Sequence, residues 1–263
     1  ENGELWIACD GGIFYSDDDA ANMNRSMTGI EGSDFWGFGA NYWSGNVMLG
    51  GAYHNGTLIK NENVYINDWA CIDGGDGTGG YANVGIENRV YSNYNIKDLP
   101  ADRTTPIPTR GYANKPYMHY VVGRSSQITF HPNNYSQQYF GKDTCIYITR
   151  DDHYTSEPLH CFGEAVADVE ISSVNPDYIY VATFPSHWSE KKIYKTSDGG
   201  TNWTDITPST AVFSSTRWLP YDLTLSDTDP EVIYMARVAN SVATYDGQKI
   251  YKSSNGGVSW TNM

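Results

Sequence analysis

Two stretches, Ile193-Tyr194-Lys195-Thr196-Ser197-Asp198-Gly199-Gly200-Thr201-Asn202-Trp203 and Ile250-Tyr251-Lys252-Ser253-Ser254-Asn255-Gly256-Gly257-Val258-Ser259-Trp260, are copies of one pattern set 57 residues apart. Each runs along alternating β-branched and aromatic residues, turns through Asp or Asn and two glycines, and returns on Trp. A second shared stretch precedes each copy, Asn175-Pro176-Asp177-Tyr178-Ile179-Tyr180-Val181-Ala182 in one and Asp229-Pro230-Glu231-Val232-Ile233-Tyr234-Met235-Ala236 in the other. The repeating unit is therefore a group of four short strands, and a period of about 45–57 residues is the size of a propeller blade.

Working outward, Cys145-Ile146-Tyr147-Ile148-Thr149-Arg150-Asp151-Asp152 places Asp151 where Asp198 stands. Gly12-Ile13-Phe14-Tyr15-Ser16-Asp17-Asp18-Asp19 places Asp18 there. Two divergent units lie between them, around 47–57 and 73–81. Helical periodicity is nearly absent and strand-like runs alternate with Gly/Asn/Asp/Ser clusters. The chain reads as all-β: a β-propeller of four-stranded antiparallel blades, about five to six in number. The blades fall near 1–34, 35–68, 69–116, 117–164, 165–219 and 220–263. The first and last are expected to be incomplete, with the remainder of the same polypeptide completing the ring. The stretch from Lys97 to Lys115, with Pro100, Pro106 and Pro108, reads as a blade-to-blade excursion. Trp203 and Trp260 are expected at equivalent buried places in successive blades.

The 263 residues carry 17 Lys+Arg against 31 Asp+Glu, a formal net charge of −14. Such a field repels phosphate backbones, so nucleic acid is not an expected partner. No apolar run approaches the length of a spanning helix, so no membrane insertion is expected. Neither a basic nor an apolar leader opens the sequence, and any secretory signal is expected to have been removed or to lie upstream. Cys9, Cys71, Cys145 and Cys161 have no zinc-ligand spacing, and Asp17-Asp18-Asp19 lacks the calcium-loop spacing. No metal or cofactor is expected. The cysteines leave two disulfides or four thiols open, with Cys145 and Cys161, which flank a hairpin and its return, as the favoured pair. Asn24, Asn55, Asn134 and Asn202 begin Asn-x-Ser/Thr sequons.

The Asp198 string resembles the Asp-box, Ser-x-Asp-x-Gly-x-x-Trp, of the bacterial-neuraminidase-type repeat. In that motif Asp accepts backbone N–H bonds, Gly takes a positive φ and Trp packs between sheets. The resemblance makes Asp18, Asp151, Asp198, Asn255, Trp203 and Trp260 structural rather than catalytic. Families sharing the repeat include sialidases, xyloglucan-cleaving glycoside hydrolases, sortilin-type receptor propellers and secreted Bacteroidetes surface proteins. The strings "GGAYHNGT" and "GGDGTGGYAN" on either side of Trp69 look most like the sortilin and xyloglucanase-like group. A sialidase would need three arginines gripping a carboxylate and an early Arg-Ile-Pro, which is not present.

By resemblance to the xyloglucanase-like hydrolases, whose catalytic aspartates lie in Asp-x-Gly-Gly and Gly-Asp-x-Gly-Gly-Phe motifs, the candidate catalytic pair is Asp10 and Asp76. The first sits in a string one residue shorter than the motif, the second in one a residue longer. His54 and Asn55 are candidates to line the central funnel, the competing reading being a type I′ turn at Asn55-Gly56. Trp36, Trp43 and Trp188, in or near loops, are candidates to stack on sugar rings. The expected function is that of a secreted or cell-surface binding or structural module, with a polysaccharide or protein ligand at the funnel. Endo-hydrolysis of a β-glucan by Asp10 and Asp76, and sortilin-like peptide binding, are the alternatives.

Overall fold

The computed structural model describes residues 4–9, 12–26, 35–41, 46–52, 55–61, 69–75, 77, 80–86, 88–92, 96–99, 109–110, 126–184, 192–208, 222–237 and 249–263. Among them there is no helix. All strands fall into six sheets, five of four strands and one of three, each connected in simple up-and-down order. The chain divides into two compact units, 1–83 with 87–109, and 84–86 with 110–263.

In the first unit, β1 (Leu5–Cys9), β2 (Gly12–Ser16) and β3 (Asn24–Arg25) form the three-stranded sheet. The second sheet comprises β4 (Phe35–Ala40), β5 (Val47–Ala52), β6 (Gly56–Asn61) and β7 (Ala70–Asp73). Because β7 pairs with β6, that sheet runs past the break expected between 68 and 69. The third is β8 (Gly80–Ala82), β9 (Arg89–Ser92), β10 (Ile96–Asp98) and β11 (Thr109–Arg110). Val47, Leu49 and Ile59 of one sheet and Ala82, Val90 and Leu99 on and beside the next form a buried cluster. Gly39 lies so close to Gly80 and Tyr81 that an added Cβ would stand 2.5 Å from a backbone oxygen. The two sheets thus meet backbone to backbone where the sequence is glycine-rich.

The second unit holds β12 (Thr129–His131), β13 (Asn134–Lys142), β14 (Cys145–Thr149) and β15 (Glu157–Cys161). They are followed by β16 (Ala165–Ile171), β17 (Ile179–Phe184), β18 (Ile193–Thr196) and β19 (Thr204–Asp205). The last sheet, β20 (Asp222–Leu225), β21 (Ile233–Arg237), β22 (Lys249–Ser253) and β23 (Thr261–Asn262), has four strands where an incomplete blade was expected. One core joins the first two of these sheets through Tyr139, Ile146, Val169 and Val181. Another joins the second and third through Tyr180, Ile193, Leu223, Ile233 and Met235. Lys195 fixes the same interface from the side. Its ammonium lies 2.7 Å from both carboxylate oxygens of Glu231 and 5.0 Å from the centre of the Tyr178 ring, while Tyr180 donates its hydroxyl proton to Pro230 O at 2.8 Å.

Four turns repeat one hydrogen-bond pattern. Between β18 and β19, Thr196 Oγ1 accepts the amides of Asp198 and Gly200 and donates to Asp198 Oδ1, which also accepts the amide of Asn202 at 2.9 Å. The same bonds join Ser16, Asp18, Ala20 and Asn22, then Thr149, Asp151, His153 and Thr155, then Ser253, Asn255, Gly257 and Ser259. A last bond depends on charge type. Asn22, Thr155 and Asn202 donate a side-chain proton to the second Asp oxygen, whereas Asn255 itself donates to Ser259 Oγ. The bonds from Asn22 hold the Asp18 carboxyl down to about 2, and those from Asn202 do the same for Asp198.

In every copy two consecutive residues take positive φ: Gly199 and Gly200, Gly256 and Gly257, but also Asp19 and Ala20, and Asp152 and His153. Gly200 is further constrained, since a Cβ there would meet Leu159 of the preceding sheet at 2.7 Å. Trp203 and Trp260 are half-buried rather than fully buried, and each packs against the core shared with the preceding sheet. An Ala side chain at positive φ costs about 1–2 kcal/mol. Ala20→Gly, at an exposed site, is therefore expected to stabilise the protein by about 0.5–1 kcal/mol in urea unfolding. Thr196→Ala removes the acceptor of the Gly200 amide and is expected to cost about 1–3 kcal/mol, with Thr196→Ser close to wild type.

Candidate functional site

Strand β16 carries an irregularity that decides where its charges go. Val166 pairs with Thr183 and Asp168 with Ala182, so Ala167 is an extra residue in the ladder. A bulge shifts the alternation of side chains by one. Its consequence is that Val166, Val169 and Ile171 all reach the core shared with the preceding sheet, while Asp168 and Glu170 project together from the other face. Without the bulge, Val166 would share a face with the two acids.

That other face meets β20. Asp168 Oδ2 accepts the amide proton of Leu223 at 2.8 Å, and Asp222 adds its charge to the neighbourhood of both acids. On the opposite flank, Thr129 of β12 donates to Val169 O at 2.6 Å. The first strands of three successive sheets are thus tied one to the next. Asp168 and Glu170 retain some exposed area, yet enough protein surrounds them that desolvation pushes their carboxyls up, to about 7 and about 8 respectively. Asp222 opposes ionisation at both, and at Asp168 the Leu223 amide works the other way.

Glu170 consequently holds a proton at neutral pH and can donate a hydrogen bond or the proton itself. Residues two apart on one strand stand about 6–7 Å apart on the same face. Asp168 and Glu170 therefore approach a ligand from one side, whereas acid and base in inverting glycoside hydrolysis flank the scissile bond. Among the described residues, no group of three or more His, Cys, Asp or Glu side chains is placed to hold a metal. The signal for this site was present in the sequence, as Asp-x-Glu within an alternating apolar run. Its partner Leu223, 55 residues away, was not.

Of the residues expected to form a site, Asp10, His54, Asp76, Trp43 and Trp188 lie outside the described residues. The backbone of Trp36 lies in β4 rather than in a loop, as the extra residue of a bulge between Phe35 and Gly37. Asn55 donates its amide proton to Ala52 O at 3.1 Å, and only Gly56 of the Asn55-Gly56 pair has positive φ. Ala52 pairs with Gly56 across β5 and β6, so Asn55-Gly56 is not the central pair of a two-residue type I′ turn. Gly56 N and Ala52 O in turn bond to Gly75 O and Gly77 N, locking the two glycine-rich segments together. Just before them, Asp73 lies 3.3 Å from the buried Lys97 ammonium and accepts the Ser92 hydroxyl. Cys145 and Cys161 face each other across β14 and β15 and are joined by a disulfide, while Cys9 and Cys71 are free and exposed.

No protein-family model matches the chain, and no curated protein matches it. Solved structures do resemble it. A GH74 xyloglucanase from Xanthomonas campestris superposes with a TM-score of 0.62 at 13% identity, over 100% of this chain and 44% of that one. A GH74 enzyme from Niastella koreensis gives 0.58 at 14% identity, over 99% and 43%. The protein YCF48 bound to D1 peptide gives 0.54 at 13% identity, over 100% and 79%. The chain thus spans less than half the length of the two hydrolases. At these identities the likeness concerns the fold, and the chain is a β-propeller of antiparallel four-stranded blades.

Both raised carboxyls bear on stability. Between about pH 4 and 8 the folded state keeps protons that the unfolded chain has released, so their contribution is present at low pH and fades as pH rises through about 7–8. The urea midpoint is expected to fall from pH 5 to pH 8, with these two groups responsible for a few kcal/mol. Glu170→Gln, and Asp168→Asn, which keeps an acceptor for Leu223, should each flatten that slope and raise stability at pH 8.

Proposed function

We propose that this propeller is a ligand-binding module of a secreted or cell-surface protein, taking a polysaccharide or protein at the central funnel, with the Asp-box turns as its staples. The observation that carries this reading is the commitment of four described carboxylates to structure. Asp18, Asp151 and Asp198 are consumed by turn amides, and Asp168 by Leu223. The disulfide between Cys145 and Cys161 supports an oxidising compartment, where such bonds persist. The fold likeness to YCF48 bound to D1 peptide is compatible with a protein ligand.

Hydrolysis of a β-glucan is the second reading. It is favoured by the fold likeness to GH74 enzymes. Asp10 and Asp76 are its catalytic pair. Incubation with xyloglucan, mixed-linkage glucan and sialosides separates the two. The binding module retains one of these polymers, or a peptide, on an affinity gel and releases no reducing ends. Release of reducing ends that Asp10→Asn or Asp76→Asn abolishes in a folded protein would make it a hydrolase instead.

A further inference from the structure

We propose that the groove between the end of β19 and the turn leading into β23 binds a neutral carbohydrate ring. The groove lies at the last strands of the two sheets, the opposite edge from the first strands that carry Asp168 and Glu170. Its volume is about 480 Å³, and Asp205, Ile206, Thr207 and Pro208 line one side, Val258 and Trp260 the other. Ligand pockets for small molecules fall in this size range.

The groove exists because the repeat is not filled equally in its two copies. Behind Trp203, His160 stacks on the indole at 5.6 Å and Phe162 meets it edge-on at 5.0 Å. Leu159 stands to Gly200 as Ile206 stands to Gly257. The positions that follow Ile206 are Thr207 and Pro208, so the aromatic cover found over Trp203 has no counterpart in them. The indole N–H differs as well. Trp203 Nε1 donates to Gly200 O at 3.0 Å, whereas Trp260 Nε1 is buried with no protein acceptor. Trp260 therefore lacks the hydrogen bond that anchors the Trp203 indole in place.

The rest of the lining fits the same ligand. Asp205 is held in place by Thr207, whose amide and hydroxyl both donate to its Oδ1, while Thr207 Oγ1 accepts the Ile193 amide. The other Asp205 oxygen lies 3.8 Å from the Lys192 ammonium, so the carboxylate is held as a fixed, ionised acceptor for hydroxyl donors. Ile206, Pro208, Trp260 and Val258, the last 83% exposed, offer apolar surface. No Lys or Arg is among the lining residues, so an anionic ligand would face Asp205 without a countercharge on the groove walls. A pyranose has an apolar ring face for the Trp260 and Pro208 surfaces and hydroxyl donors for Asp205, a pairing of chemistries suited to an amphipathic aromatic.

The test is a titration of the full chain, labelled with ¹⁵N at its indole nitrogens, with cellobiose, xyloglucan oligosaccharides and, for comparison, a lysine-containing tripeptide. The Trp260 indole resonance, assigned by its loss in Trp260→Phe, is expected to move with a neutral oligosaccharide and not with the tripeptide. Trp260→Phe and Asp205→Ala, each verified as folded by thermal melting, are expected to weaken binding about tenfold, while the Trp203 resonance stays put. Should one variant not fold, the other carries the comparison. A resonance moved by no saccharide, or moved by the cationic peptide alone, overturns the proposal, as does saccharide binding unchanged in the folded variants.

Discussion

A serine or threonine hydroxyl that accepts two amides, with an Asp or Asn two residues later accepting a third, is the interaction on which the described blades with this turn depend. It compels the chain to reverse through two consecutive left-handed residues before the last strand of a sheet. Where both are glycine the backbone is unstrained. Where they are Asp19 and Ala20, or Asp152 and His153, the same bonds hold residues that resist the conformation. His153 is compensated by burial, with a 2.7 Å bond to Gln138 Oε1 and a ring contact to Phe140. Ala20, exposed and too short for either, has neither compensation.

The turns set the spacing at which successive sheets meet. Gly200 lets the turn approach Leu159, and Gly257 lets the next approach Ile206. Trp203 and Trp260 then lean on the preceding core. Between these contacts the apolar strand faces interdigitate, and polar ties at the rims, Lys195 to Glu231 and Asp168 to Leu223, fix the sheets laterally. The bulge at Ala167 belongs to the same scheme. By bringing three aliphatic side chains to one face it leaves two acids on the other, where desolvation and the charge of Asp222 raise their proton affinity, with Asp168 adding to the effect at Glu170.

The contrast between the turn carboxylates and Glu170 bears on function. A carboxylate fed by several donors is stabilised in its ionised form and makes a poor proton donor, which describes Asp18 and Asp198. Glu170, desolvated beside Asp168, is the opposite case. One fold therefore holds carboxyls of both kinds, and their location in the sheet, on a last-strand turn or on a first strand, separates a staple from a group able to meet a ligand.

The sequence by itself determined the all-β class, the four-strand unit and the turns, because alternation and turn chemistry act over a few residues. Even the favoured cysteine pair followed from its place around a hairpin. Within the turns the hydroxyl partner is Thr196, two residues before Asp198, where the Ser-x-Asp spacing puts it. Only the tertiary structure decided the rest. The bulge at Ala167, the amide of Leu223 beneath Asp168 and the bonds of Ala52 and Gly56 to Gly77 and Gly75 arise from pairing between segments that no local pattern specifies. The groove at Trp260 is the clearest instance. Its two Trp motifs are nearly identical in sequence, and what distinguishes them is the side chains that the preceding sheet brings against each, a contact set by packing between strands rather than by the motif.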